Sequence, residues 1–353
     1  ISRYPWINYA YHMDASAYAR FLRKFSEKFG VKRVEGIIKQ VNLNHDTGDI
    51  ESLLLKSGQV IEGDLFIDCT GFRSVLSEQA LHTGFEDWSN WLPCDSAVAT
   101  QETGSAPPIP LTRAIAHDNG WQWKIPLQNR VGTGLVYCSR YQSDDSAVQT
   151  LLNNLDGKAL FDPFPIKFKP GRRLKCWNKN CIAIGLSGGF IEPLESTTIF
   201  LISSALIRLM RLFPINGVQQ VLIDEFNRQT KAEIELVRDF VVLHFHATER
   251  TDTAFWRHCR TMPIPDSLKQ RIDLFRGTGR IYIGAEELFR VDSWTQVMIG
   301  QGIVPKQYHP VVNDLTPDEL RRFMNGYRAS IEKMVEKLPM HHEFLSKYCP
   351  TEI

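Results

Sequence analysis

The sequence predicts a mixed α/β (α+β) chain with an antiparallel sheet set into it and a helical C-terminal part. Three observations carry that expectation. The apolar run Cys181-Ile182-Ala183-Ile184-Gly185 leads through Gly188-Gly189 into a long apolar helix, a strand, loop and helix in succession. Over residues 96–139, four strand-like runs follow one another with Gly and Asn turns between them, the pattern of an antiparallel insertion rather than of βαβ units. Beyond Pro214 the chain turns helical, with long apolar periodicity over 218–246 and a second strong helix over 315–338.

Taken in order, Asp14 caps a helix over 14–29, whose apolar Ala17, Tyr18, Phe21, Leu22 and Phe25 recur at three- and four-residue spacing until Gly30 stops it. Strands are expected over 31–43 and 52–56, around the turn residues Asn44-His45-Asp46-Thr47-Gly48-Asp49. Asp64-Leu65-Phe66-Ile67-Asp68-Cys69-Thr70-Gly71 reads as a buried strand ending in a glycine turn, with a short helix to follow. The insertion, at about 94–140, holds strands over 96–100, 112–117, 121–126 and 131–139. Strand returns over 174–185, and a helix fills 197–212. In the last strong helix Thr316 is the cap, with Asp318 and Glu319 in the first turn. A soft domain boundary is expected near residue 213.

Composition narrows the function. With 41 basic against 40 acidic residues, nothing points to nucleic acid or to a membrane surface, and no apolar run reaches the roughly 18 residues of a membrane span. Seven scattered cysteines without a CxxC pair suit reduced thiols in a cytoplasm, with Cys69, Cys94, Cys138, Cys176 and Cys181 mostly as small buried hydrophobes. The opening Ile1-Ser2-Arg3-Tyr4 carries neither Met nor a targeting peptide and reads as the interior of a longer polypeptide.

The loop Gly188-Gly189-Phe190-Ile191-Glu192-Pro193-Leu194-Glu195-Ser196-Thr197-Thr198 carries the clearest chemistry. Its glycines allow close backbone approach, and Ser196, Thr197 and Thr198 suit a helix start. Free amides and the positive end of a helix dipole then face whatever sits there, a place for an electron-poor cofactor or a small anion. Trp121 and Trp123 share one face of a strand, either packing a sheet on a helix or walling a ligand, while Lys124 takes the other face. Glu195 either stabilises the helix end or polarises a substrate hydrogen. His244 and His246 lie on different helix faces, His258-Cys259 lacks ligand spacing, and His341-His342 reads as solvated, so no metal site is expected. Ser187 lacks nucleophile-elbow context, and neither a Walker loop nor GxGxxG is present. Gly132-Thr133-Gly134 reads as a bulge or kink.

Together these segments resemble the flavin-dependent tryptophan halogenase family from Ala10 to about Pro305. The landmarks are Tyr11-His12-Met13-Asp14-Ala15, Asp64 to Arg73, Gly120-Trp121-Gln122-Trp123-Lys124-Ile125-Pro126, and the loop from Gly189 to Thr197. The paired Trp separates this family from related flavin monooxygenases. The resemblance implies an FAD/NAD(P)-binding Rossmann-like fold of the flavin aromatic hydroxylase type. Residues 1–212 would be an FAD-binding module, incomplete at its N-terminus, and 213–353 a mainly helical domain over the substrate. It also implies that FADH2 from a separate, transiently bound reductase reacts with oxygen and a halide to give hypohalous acid. A lysine then delivers electrophilic halogen, chlorine or bromine, to an electron-rich aromatic such as an indole.

On the same resemblance Trp121 and Trp123 shield the flavin from organic substrate, and Glu195 is catalytic beside the lysine. The amides of Thr197 and Thr198 hold the halide. Gly71, Leu186, Gly189, Pro193 and Ile199 border the flavin, Ile38 is a candidate for the adenine, and Phe289 and Trp294, with Glu195, lie at the substrate. A cytoplasmic monomer or homodimer is expected. The family's GxGxxG and lysine fall upstream of Ile1, so this chain alone is expected neither to bind FAD properly nor to halogenate. Thr198 stands where Gly is usual, which crowds the halide. Phe289-Arg290-Val291-Asp292-Ser293-Trp294 lacks the pattern that grips free tryptophan, leaving an indole, a phenol or a carrier-bound aromatic. Two alternatives stay open: a flavin monooxygenase of the same fold, and a non-catalytic fragment.

Overall fold

The computed structural model describes residues 9–284 and 287–351. Ile1-Ser2-Arg3-Tyr4 lies outside them. Helix α1 (Ala15–Glu27) begins as expected, with the Asp14 carboxylate accepting from the N–H groups of Ser16 and Ala17. Strands β1 (Ile38–Leu43), β2 (Ile50–Leu55) and β3 (Val60–Glu62) form an antiparallel sheet. The strand expected from residue 31 starts only at Ile38, because its partner ends at Leu55, where the chain turns at Gly58, and residues 31–36 have no ladder to join.

Strand β4 (Phe66–Asp68) runs into two short helical turns, Gly71–Arg73 and Val75–Ala80, before β5 (Phe85–Asp87). The inserted sheet holds β6 (Ser96–Glu102), β7 (Arg113–His117), β8 (Gly120–Pro126) and β9 (Val131–Tyr137). Helix α2 (Asp144–Asn153) packs on it, and β10 (Phe164–Lys167) returns to its edge, giving the order β10-β6-β9-β8-β7. The insertion therefore runs past residue 140, since β10 pairs Phe164 with Ala99 on β6.

In place of the single strand expected over 174–185 lie β12 (Trp177–Asn178) and β13 (Cys181–Ala183), with β11 (Gly171–Arg173) ahead of them. The break is a tight turn at Lys179, where φ is +53°. β13 pairs parallel with β4, whereas β11 lies between β5 and β14 (Gly189–Phe190). The helices α3 (Thr198–Arg211), α4 (Gln220–His246), α5 (Ala254–Thr261), α6 (Asp266–Thr278), α7 (Val291–Gly300), α8 (Pro317–Val335) and α9 (His341–Tyr348) follow. Thr316 and Glu319 close a reciprocal capping box at the start of α8.

The main core gathers Trp88, Trp121, Val136, Ile191, Phe240 and Trp294, so it joins the sheet insertion, the glycine loop and the later helices. Of the five cysteines read as buried, Cys94, Cys138, Cys176 and Cys181 are, and Cys69 is exposed because it follows the end of β4.

Gly134 is not a bulge. β8 and β9 stay in register from Gly120↔Tyr137 to Pro126↔Val131, and Gly132 and Gly134 sit inside that ladder. A Cβ on Gly134 would overlap the Trp123 ring and Val98 O, so the missing side chain is the seat of the indole. Gly134→Ala is expected to destabilise by about 1–3 kcal/mol through overpacking. Urea denaturation checks this, and an unchanged midpoint would show that Trp123 can move away freely.

Candidate active site

The site grows from the end of β13. After Ile184 the chain makes a short turn, Gly185–Ser187, and returns as β14 beside β11. Gly189 has φ +155°, and a Cβ there would lie 2.6 Å from Gly171 O and 2.9 Å from Arg172 Cα, so this crossing admits glycine alone. The loop is pinned from below. Ser187 Oγ donates to Asp68 Oδ1 and to Gly71 O at 3.2 Å each, and Arg173 Nε and Ser74 Oγ both donate to Ser187 O at 3.1 Å. Burial works against the ionised Asp68, but hydrogen bonds from Ser77 and Thr70 together outweigh it and hold its carboxyl below the usual range.

Gly71 is thereby drawn against the loop that carries Leu186 and Gly189. A cleft of about 440 Å³ opens there, lined by Phe72, Phe85, Arg173, Leu186, Gly189 and Phe190. Its size and its aromatic and apolar walls suit a cofactor ring, with Lys167, Lys169 and Arg173 as the cationic edge. Ile38 stands apart on β1, packed against the cluster of Ile50, Phe66, Leu76 and Cys181.

Pro193–Glu195 forms one helical turn, and Ser196 in the left-handed conformation (φ 52°, ψ 36°) redirects the chain into α3. Thr197 is buried and caps α3 without a side-chain bond. Among the described residues, no acceptor meets the backbone N–H of Thr197 or of Thr198. Both residues line a small, half-open cavity of about 50 Å³ with Gly185, Gly188 and Gly189. Unpaired amides, the positive end of a 14-residue helix and a cavity of one-ion size coincide. Ile199, one residue on, is exposed.

Trp121 and Trp123 share a face of β8, with ring centroids 6.1 Å apart. Trp121 is deeply buried and Trp123 partly so. The Trp121 indole Nε1–H donates to Glu192 Oε2 at 2.8 Å, tying the tryptophan strand to the glycine loop. Lys124, on the opposite face, is buried in an ion pair with Asp156 at 2.7 Å, with Glu102 at 3.7 Å.

Sequence reasoning missed Glu192. It is 1% exposed, and among the described residues its Oε1 has no hydrogen-bond partner. Burial pushes its carboxyl up from 4.5 to about 8, tempered by the Trp121 N–H and the Cys94 thiol. Between those values the folded chain keeps a proton that the unfolded chain has released. Stability therefore falls as pH rises through that window, by at most about 1.4 kcal/mol per pH unit. Glu192→Gln is expected to flatten that slope, read from unfolding free energies at pH 5 and pH 8. An identical slope in the variant would contradict the burial account.

His244 was missed too, having been weighed only as a metal ligand. From the last turn of α4 its Nε2 lies 2.9 Å from Glu195 Oε1, and its Nδ1 lies 2.8 Å from Phe240 O. Phe240 stacks on Phe289 at 3.9 Å between centroids and meets Trp294 edge-on at 4.8 Å. Phe289 thus reaches Glu195 through two side chains, Phe240 and His244, whereas Trp294, 1% exposed beneath Arg271, backs the stack from the core. Among the described residues, no group of His, Cys, Asp and Glu has the arrangement of a metal site, and no helix is long and apolar enough to cross a membrane.

Comparison with known proteins places this geometry. The tryptophan halogenase family model matches residues 2–317. Tryptophan 7-halogenase RebH of Lentzea aerocolonigenes is 37% identical, over 96% of this chain and 68% of its own length. Among solved structures, Xcc4156, a flavin-dependent halogenase from Xanthomonas campestris, superposes with a TM-score of 0.97 at 53% identity, covering 98% of this chain and 70% of that one. BrvH, a flavin-dependent halogenase from Brevundimonas sp. BAL3, gives 0.93 at 44% identity, covering 96% and 69%. The chain thus spans about two thirds of the length of its relatives.

Proposed function

This chain belongs to the tryptophan halogenase family, whose fold and flavin dependence it shares, and we propose that its glycine loop, paired tryptophans and Glu195 form the flavin and halide side of a halogenation site. Membership decides for halogenation over the hydroxylation that the sequence left open. The observation that carries the reading is the pair of unpartnered amides at Thr197 and Thr198, over an ion-sized cavity, beside the Glu195 turn.

FAD fits the residues present: the cleft at Phe72, Leu186 and Phe190 has the volume and the walls for an aromatic ring. When bound as FADH2, delivered by a separate reductase, it supplies the reducing equivalents by which oxygen oxidises a halide to an electrophilic halogen. This chain's own residues bind, shield and orient at the flavin and halide side of that chemistry. Gly71, Leu186, Gly189, Pro193 and Ile199 border the flavin, and Ile38 lies toward the adenine. The Thr197 and Thr198 amides hold chloride or bromide by N–H donation and dipole. Trp121 and Trp123 keep organic substrate off the flavin. Glu195 orients the halogenating species by accepting or lending a hydrogen bond.

On the far side, Phe289, backed by Trp294, contacts an indole or another electron-rich aromatic. The helices beyond residue 213 cover that substrate, with residues 1–212 as the flavin-binding part. All seven cysteines are free, which supports a cytoplasmic enzyme, and it acts as a monomer or homodimer. The test is product mass. A polypeptide extending this chain to the length of its relatives, with reductase, FAD and indole, is expected to give chloroindole with chloride and bromoindole with bromide. A hydroxylated product independent of halide would contradict the proposal.

A further inference from the structure

We propose that His244 is the positioning residue for Glu195, and that the two side chains share one proton. The inference rests on the reading of Glu195 as a residue of the halogenation site.

Hydrogen-bond valence carries the argument. His244 Nδ1 faces the Phe240 carbonyl oxygen at 2.8 Å, and a carbonyl only accepts, so Nδ1 bears a proton. In a neutral ring Nε2 is then a bare lone pair. Yet Nε2 lies 2.9 Å from Glu195 Oε1, and an ionised carboxylate is also only an acceptor. Two lone pairs do not meet at that distance in a half-buried place. One further proton therefore sits in the contact, on the imidazole or on the carboxyl.

The surroundings fix the ring. It is held edge-on to Phe240, with centroids 4.9 Å apart, and Phe240 is itself clamped between Phe289 and Trp294. The His244 and Glu195 side chains are 17% and 32% exposed, so the contact is shielded without being sealed. Among the described residues, Glu195 Oε2 has no partner. The pairing thus grips one carboxylate oxygen and leaves the other for the halogenating species. It also links Glu195 to the aromatic stack at Phe289, so that a ring seated there would bear on the carboxylate's orientation through Phe240 and His244.

Three variants and one spectrum test this in the flavin-loaded enzyme. His244→Phe keeps a ring against Phe240 and removes both hydrogen bonds. It is expected to lower kcat roughly ten- to a hundred-fold while leaving flavin affinity and the substrate KM near wild type. His244→Gln, whose amide N–H can reach Glu195, is expected to restore part of that loss. Wild-type kcat in His244→Phe, or no recovery in His244→Gln, would overturn the proposal. With selectively ¹⁵N-labelled histidine, a two-bond ¹H–¹⁵N spectrum is expected to show His244 protonated on Nδ1, whether or not Nε2 is also protonated. A bare Nδ1 with Nε2–H would overturn the shared proton even if no variant folds. Glu195→Gln separates the two levels. Full activity there defeats the reading of Glu195 itself, whereas an inactive Glu195→Gln beside a fully active His244→Phe defeats only the role given to His244.

Discussion

Glu195→Gln is expected to lower halogenation by about 10²–10⁴-fold, the range for a positioned acid–base group, with flavin still bound. The substitution is nearly isosteric, and it leaves untouched the Pro193–Glu195 turn, the left-handed Ser196 and the unpaired amides at the head of α3. It also preserves a contact with His244, since an amide N–H can donate to the bare Nε2 that faces it at 2.9 Å. Geometry is therefore kept while charge and the shared proton are lost. The measurement is kcat beside a flavin titration. Undiminished turnover would remove the carboxylate from the chemistry.

Trp121→Ala is expected to destabilise the fold by about 3–5 kcal/mol, the cost of deleting a large buried aromatic. From sequence the same substitution reads as a probe of flavin shielding that spares the fold. The structure corrects that, because Trp121 is 3% exposed in the main core and its indole N–H donates to the buried Glu192 Oε2. Alanine leaves a cavity and strips a buried carboxyl of a donor, which adds to the loss. Trp121→Phe keeps most of the volume and is expected to cost less, so the pair of variants separates packing from hydrogen bonding. Urea denaturation of both checks this; a Trp121→Ala midpoint equal to that of the parent would show that the indole bears no load.

What was legible in the sequence was what depends on local patterning. Asp14 and Thr316 cap helices where their neighbours' spacing said they would, and the strand pairing of 96–139 follows from its turns. The glycine loop and α3 were readable because glycines, proline and hydroxyl residues announce themselves in order. What was not legible depends on partners distant in sequence. β10 and β11 are short, and they exist because β6, β5 and β14 offer edges to them. Gly134 resembles a kink until the Trp123 ring is seen occupying its missing side chain. Glu192 looks like an ordinary loop carboxylate, and only the fold buries it under Trp121. His244 was judged by its spacing to His246, although its partner arrives from another element altogether.

The central claim, that the first amides of α3 are an anion site, is most directly tested by anomalous diffraction from a bromide-soaked crystal of the flavin-bound enzyme. A bromide peak within hydrogen-bond distance of the Thr197 and Thr198 N–H groups is the expected result. Flavin bound in the cleft with no bromide at those amides would contradict it.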